Sequence, residues 1–320
     1  MTGSREWAPW SRAWAAASAG FWSGEEPAAH FRTSVSPLVA NRVADIVRAT
    51  DLRLGCPDDF WIVDIGCGDG QLLELVRDRC PDIAPRAHWL GVDVRPMRRE
   101  GMESIRRACP AVLPGAPFVG LVMAHEWLDE IPCDVIERDE SGVDRVVLVD
   151  RDGSQMLGPP ISDDEACARW GLDATDLRDW TAAWWPLREP GDRAEVGVSR
   201  DRAWAWIGSL LGAGCALSTD YGHDRHVRID AHRHGTLTAY LNGRVVAPVP
   251  DGTVGLTAHV ALDSCAAALP GTHRTIQRDE ITVPAVPMAP DVGDIEVHFH
   301  GLRLRTRAHL GEVGWLRWEC

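Results

Sequence analysis

From residue 60 onward the chain alternates between short apolar runs and amphipathic stretches. FWIV (60–63), HWLGVDV (88–94) and FVGLVMA (118–124) are bounded by polar or glycine-rich segments, the pattern of buried strands. Between them, 71–80 and about 97–108 are expected to be helices. Strands alternating with helices predict a parallel sheet with right-handed crossovers, so ligands are expected at the carboxyl ends of its strands. Residues 1–50 predict a helical N-terminal region. There Trp7, Trp10 and Trp14 recur at helical spacing and read as packing, before a break through Gly20, Gly24 and Pro27. A second helix follows, with Ser36 as its cap, Pro37 at its first position, and Leu38, Val39, Val43, Ile46 and Val47 on its apolar face.

The second half is less regular. Residues 133–151 read as a hairpin with turns at Ser141-Gly142 and Asp152-Gly153. Residues 161–190 become helical and carry Trp170, Trp180, Trp184 and Trp185; they are taken as part of an insertion, about 151–198, that caps the sheet and shapes a substrate cleft. Ser199 is expected to cap a helix holding Trp204, Trp206, Leu210 and Leu211, ended by Gly212 and Gly214. CALSTDYGHD then supplies one more buried strand, and IEVHFHGLRLRTRAHL a closing hairpin with Gly301 near its turn. The expected organisation is a helical region (1–50) followed by one Rossmann-like α/β domain (51–320).

The stretch FWIVDIGCGDGQLLE (60–74) carries the first chemistry. A strand, a turn at Gly66, Gly68 and Gly70, and a helix opening at Gln71 form a nucleotide-type cradle, in which main-chain N–H groups and a helix N-terminus face the ligand. The spacing is G-x-G-x-G rather than the G-x-G-x-x-G that seats a pyrophosphate. Asp64 and Asp69 would repel a pyrophosphate but attract the cationic methionine end of S-adenosylmethionine. Asp93, at the end of the next strand, is placed to accept from both ribose hydroxyls. The expected cofactor is therefore S-adenosylmethionine, and a nicotinamide dinucleotide is disfavoured.

The strand FVGLVMA delivers HEWLDEIP. Carboxylates Glu126 and Asp129 just past its end could hold a nitrogen nucleophile, and His125 could act as a base near neutral pH; acids decorating a helix N-terminus are the alternative. Asp220 and Tyr221 arrive at the same end of the sheet, either as substrate contacts or with the Tyr hydroxyl satisfying a buried carboxylate. The polar segment HFRTSV (30–35), Thr33 included, is expected to lie over the cofactor. His223, His226, His232 and His234 lack the spacing of a metal site, and no metal is expected.

Composition narrows the partners. A formal charge of -14 argues against a nonspecific nucleic-acid binder. All 33 basic residues are arginine, which excludes lysine-based catalysis. Nine cysteines without a C-x-x-C pair suit a reducing cytoplasm rather than a disulfide framework. Neither a secretion signal nor a membrane-spanning run is expected.

Four segments, HFRTSV (30–35), VDIGCGDG (63–70), AHEWLDEIP (124–132) and STDYGHD (218–224), resemble the MidA family of S-adenosylmethionine-dependent methyltransferases, which includes the mitochondrial complex I assembly methyltransferase. The resemblance implies a Rossmann-like class I methyltransferase sheet and a donor held by Asp64, Gly66, Gly68, Gly70 and Asp93. It also implies catalytic loop acids Glu126 and Asp129, a D-Y-G pair Asp220 and Tyr221, and a protein substrate methylated on nitrogen, as on arginine in the mitochondrial member. Two positions depart from the family pattern: His125 stands where Asn is usual, and Gly255 where an acid commonly precedes the leucine. The sheet's third strand is expected to be short or missing. A donor-binding assembly factor or scaffold without catalysis is the alternative of a different class.

Overall fold

The computed structural model describes residues 6–24, 34–97, 99–281, 297–299, 302–304 and 313–320. The first elements are the two-residue strand β1 (Ala8–Pro9), helix α1 (Trp10–Gly24) and helix α2 (Pro37–Arg53). Ser36 caps α2 as expected, its Oγ accepting from the Val39 N–H at 3.3 Å, with Pro37 at the first position where no N–H is needed. Then come β2 (Phe60–Ile65), α3 (Gln71–Asp78), β3 (Ala87–Asp93), β4 (Glu103–Arg106) and β5 (Phe118–His125).

Residues 97–108, expected to be a helix, instead hold β4, which pairs parallel to β3 from Leu90↔Glu103 to Asp93↔Arg106. Pro96 and Gly101, the latter at φ 71, interrupt any helical run, and the segment satisfies its backbone on the sheet edge. The third strand is thus present but short.

The chain next builds an antiparallel sheet from β6 (Asp134–Arg138), β7 (Asp144–Val149), β8 (Gln155–Pro160) and β9 (Arg193–Val196), ordered β1-β7-β6-β9 with β8 on β7. Helices α4 (Asp164–Ala168) and α5 (Ala174–Trp184) cover it. Trp180 and Trp185 are buried with Leu177, Ile136 and Val146, so the tryptophan-rich stretch makes a core of its own. On the other side, Trp10 and Trp14 of α1 pack with Val135, Val147 and Val149, the packing role expected of that stripe.

Helix α6 (Val198–Ser209) is capped at Gly197, not by Ser199, which lies inside its first turn; the helix also ends before Leu210 and Leu211. The reason is β10 (Leu211–His223), a strand that begins at Leu211 and pairs parallel with β5, with a register shift across Gly212 and Gly214 opposite Gly120. Beyond it lie α7 (Arg225–Ala231), a small sheet of β11 (Thr238–Leu241), β12 (Arg244–Val246) and β13 (Gly255–Thr257), then β14 (Val260–Ala261), α8 (Leu262–Ala268), β15 (His273–Ile276) and α9 (Gln277–Glu280). The expected closing hairpin is β16 (Val297–Phe299) against β17 (Leu302–Leu304). The last strand, β18 (Val313–Glu319), was not expected: it runs antiparallel between β10 and β15.

The main sheet therefore reads β15-β18-β10-β5-β2-β3-β4, with β10, β5, β2, β3 and β4 mutually parallel. One apolar layer packs Val43, Ile46, Val47, Leu73 and Val76 of α2 and α3 on it; the other packs Trp204, Ile207, Leu262 and Cys265 of α6 and α8. Helices on both faces leave the carboxyl ends of β2, β3, β5 and β10 as the open edge where a ligand can lie.

Candidate active site

Four strand ends meet there. After β2 the chain turns through Gly66, Gly68 and Gly70 at φ 71, 57 and 84, a left-handed succession that L side chains resist. The turn is anchored to the next strand, Gly66 N–H donating to the Val92 carbonyl at 2.8 Å. A Cβ at Gly66 would lie 2.6 Å from Cδ1 of Trp127, so the turn also has no room for one. Asp93, closing β3, accepts from the Gly68 N–H at 2.9 Å and from the Arg95 N–H at 2.9 Å, and the Arg95 guanidinium lies 3.5 Å from it. The ribose acid of the expected site thus reaches back to the glycine turn.

The two acids of the loop differ. Asp69 points outward and pairs with Arg99 at 2.6 Å. Asp64 is 2% exposed and its Oδ1 has no partner; burial, then the Asp93 charge, pushes its carboxyl well above the usual range. A buried carboxyl oxygen left open beside the glycine turn fits a ligand carrying an ammonium, such as the methionine end of S-adenosylmethionine. The charge argument for that donor therefore rests on Asp64 and not on Asp69.

On the β5 side, Glu126 adopts φ 50, a left-handed backbone that a residue with a Cβ holds only when its surroundings impose it. The imposition is visible: its N–H donates to the Thr219 carbonyl at 2.8 Å, and its Oε1 accepts from the Ser34 N–H at 2.7 Å. Its side chain is only 5% exposed. Burial lifts its carboxyl to about 7, against the pull of Ser34. His125, a candidate base by its type, is likewise buried, its side chain 7% exposed. Both ring nitrogens face hydroxyls, Nδ1 that of Thr219 and Nε2 that of Ser34 at 3.1 Å, and burial lowers it to about 4, so it is neutral near pH 7.

Asp129 is 8% exposed; its Oδ2 accepts from Thr257 Oγ1 at 2.9 Å while its buried Oδ1 has no partner. Asp220 is 1% exposed and turned into the loop, accepting from the N–H groups of Leu128 at 3.4 Å and Asp129 at 3.2 Å and from Ser218 Oγ at 2.9 Å. All three of these bonds tie Asp220 to the loop and to its own strand. Burial, with Asp129 alongside, raises Asp220 well above its ordinary value. Glu130, which the sequence reading passed over, is raised in the same way by burial and by Asp129, Asp93 and Glu126, with Arg95 opposing.

Tyr221 lies partly buried beside His259, rings 6.4 Å apart and near parallel. His223 and His232 come together with His259, ring centres 5.0–5.9 Å apart, whereas His226 is exposed and His234 bonds the Gly191 carbonyl. Among the described residues no group of three His, Cys, Asp or Glu side chains is arranged to hold a metal ion. Thr33 lies outside the described residues; its neighbour Ser34 is spent on Glu126 and His125. At Gly255, where an acid is usual in the resembled family, a Cβ would stand 3.2 Å from the Phe21 ring.

The strand order, the glycine turn after the first strand of the sheet and the acid at the end of the second define a Rossmann-like fold of the class I methyltransferase type. A crystal structure of a Burkholderia thailandensis protein bound to S-adenosyl-homocysteine matches the fold with TM-score 0.71 at 20% identity, over 98% of this chain and 88% of that one. The native structure of an uncharacterized protein of the same superfamily and organism gives 0.70 at 19% identity, over 98% and 87%. No curated protein matches the chain. Residues 38–276 match the model of the family described as “Putative S-adenosyl-L-methionine-dependent methyltransferase”, and the chain belongs to that family. S-adenosylmethionine is accordingly its cofactor.

Proposed function

We propose that this protein transfers the methyl group of S-adenosylmethionine to a side-chain nitrogen of a protein, with the arginine guanidinium as the best fit, in the manner of the MidA family it resembles. The observation that carries this reading is the acid loop, where the unpartnered Oδ1 of buried Asp129 lies one helical turn's worth of chain from the strained, buried Glu126. Two enclosed carboxylates beside a donor site suit a planar cation with several N–H groups and offer little to a neutral hydroxyl.

In this reading the donor lies against the side-chain-free turn at Gly66, Gly68 and Gly70, Asp64 takes its ammonium, Asp93 its ribose hydroxyls, and Thr33 lies over it. The donor, once bound, supplies an electrophilic sulfonium methyl. Asp129 accepts from one guanidinium nitrogen and keeps the group in line. Glu126 accepts from another and takes up the proton that the methylated nitrogen gives up, a task suited to a carboxyl lifted to about 7. His125 holds Ser34, and Ser34 holds Glu126, so the residue that replaces the family's Asn acts by orientation. Asp220 orders the loop from behind, and Tyr221 faces the incoming side chain. Catalysis comes chiefly from placement and electrostatics.

The partner is a protein, not a nucleic acid, in keeping with a charge of -14. We place the protein in the reducing cytoplasm, as its nine free cysteines suit; among the described residues no helix is long and apolar enough to cross a membrane. Incubation of the purified protein with labelled donor and a cell fraction, followed by acid hydrolysis, tests the reading. Label in methylated arginine is expected. Label in base-labile esters would place the acceptor on oxygen, and donor binding without any incorporation would leave a scaffold.

A further inference from the structure

A buried cation lies behind the acid loop. Arg200, in the first turn of α6, is 2% exposed, and among the described residues no carboxylate forms an ion pair with it. Its guanidinium is spent on main-chain carbonyls: Nε donates to Ile131 at 3.2 Å, Nη1 to Ala258 and His259 at 2.9 Å each, and Nη2 to Asp129 at 2.9 Å. Ser199, its neighbour, donates to the Pro132 carbonyl at 2.7 Å. The ring of Trp14, on α1, lies against the guanidinium, 5.7 Å from its centre. Two consecutive residues of one helix therefore grip the acid loop and the 257–259 segment, whose Thr257 hydroxyl in turn holds Asp129 Oδ2.

We infer that Arg200 is the positioning residue of the acid loop, fixing the Asp129 carboxylate relative to the donor site through the main chain on either side of it. A packing role alone does not account for the arrangement. An apolar residue of similar volume would fill the space, whereas a charge buried without a counter-ion is retained at a cost unless its hydrogen bonds matter. Four of the five N–H groups of a rigid planar fork used on four carbonyls of two segments is a geometric lock that lysine cannot reproduce.

The charge has a second consequence. Asp129 is faced by Asp220 from β10, by Glu126 and Glu130 of its own loop, by His259 and Thr257 from the opposing segment, and by Arg200 from α6. Burial raises Asp129, while the Thr257 hydroxyl, the Arg200 charge, a hydrogen bond with Asp220 and the Glu130 main chain pull it back down. Arg200 thus opposes the rise that burial imposes on the carboxylate facing the acceptor.

The inference rests on the methyl-transfer reading for its kinetic test, but not for its structural one. Arg200→Met keeps the volume and removes the charge; Arg200→Lys keeps the charge and removes the fork. Both are expected to bind S-adenosylhomocysteine as the parent chain does. The turnover of Arg200→Met should fall about 100-fold, as for a misplaced reacting group. Arg200→Lys should lose about tenfold, roughly one charge-assisted hydrogen bond, with KM little changed. In carbon NMR of aspartate-labelled protein, assigned against Asp129→Asn, the Asp129 titration should move to higher pH in Arg200→Met and stay in place in Arg200→Lys. A folded variant of either kind with parental turnover, or an Asp129 titration unmoved by Arg200→Met, would overturn the inference. If the parent chain itself transfers no methyl group, the proposed function fails while the titration still decides this point. Should Arg200→Met not fold, Arg200→Lys carries the test.

Discussion

The two halves of the site are built on opposite principles. On the donor side the glycine turn, Asp64 and Asp93 all lie within one strand-turn-helix-strand unit, residues 60–93, and the acid at its end accepts from main-chain N–H groups of that unit and of Arg95 just after it. On the acceptor side Ser34, Glu126 with Asp129, Arg200, Asp220 and Thr257 come from five separate segments, and the carboxyls there are buried with few donors between them. A local motif can be rigid because its own backbone closes it. A site assembled from distant segments is held only by the side chains that cross between them, so it concentrates strain and raised carboxyl pKa values where chemistry can use them.

The sharpest way to separate the halves is Glu126→Gln. If the acceptor side carries the chemistry alone, turnover should fall by about 10²–10⁴, the range for losing a general base, with donor affinity unchanged by calorimetry. The mirror experiment is Asp93→Ala. Loss of a carboxylate's hydrogen bonds to both ribose hydroxyls should weaken donor binding by about 100-fold, while thermal stability changes little.

Acidity tests the same division. In the folded chain Glu126 is raised from 4.5 to about 7, so between those values the folded state binds more protons than the unfolded one. Its contribution to stability is complete below pH 4.5 and is lost as pH rises through 7. Turnover runs the other way, rising through about 7 as the base form appears. Glu126→Gln should flatten both profiles, read by thermal melts and initial rates. A smaller effect is expected from Asp220→Asn, which can still accept one loop N–H. About 1–3 kcal/mol of stability should go, with turnover falling through loop disorder and donor affinity kept. Smallest is Ser36→Ala, which removes the cap of α2. It should cost about 1 kcal/mol and leave turnover alone.

The same contrast explains what the sequence disclosed. The donor half was legible because its signals are local: an apolar run, three glycines at fixed offsets, an acid after the next apolar run. The cap at Ser36 was legible for the same reason. The helix expected at 97–108 was not a helix because Gly101 breaks it and the free edge of β3 offers its backbone partners, neither of which periodicity weighs. Leu210 and Leu211 continue an apolar run, so only pairing with β5 shows where α6 stops.

On the acceptor side the acids of HEWLDEIP were visible, but their environment was not. Residue type did not disclose the burial of His125 between two hydroxyls or the loop closed over Asp220, and Arg200 carried no signal in an arginine-rich chain. Glu130 stood next to Asp129 in plain view. Its share in the site depends on Asp93 and Arg95, both distant in the chain.

With two separately built halves, donor binding and methyl transfer are expected to be separable functions. The most direct measurement is titration calorimetry with S-adenosylhomocysteine on the parent chain, Asp93→Ala and Glu126→Gln, each paired with single-turnover methyl transfer. The prediction is that Asp93→Ala binds about 100-fold more weakly, whereas Glu126→Gln binds as the parent does and transfers about 10²–10⁴ times more slowly. Loss of donor binding in Glu126→Gln, or transfer at the parental rate by that variant, would contradict it.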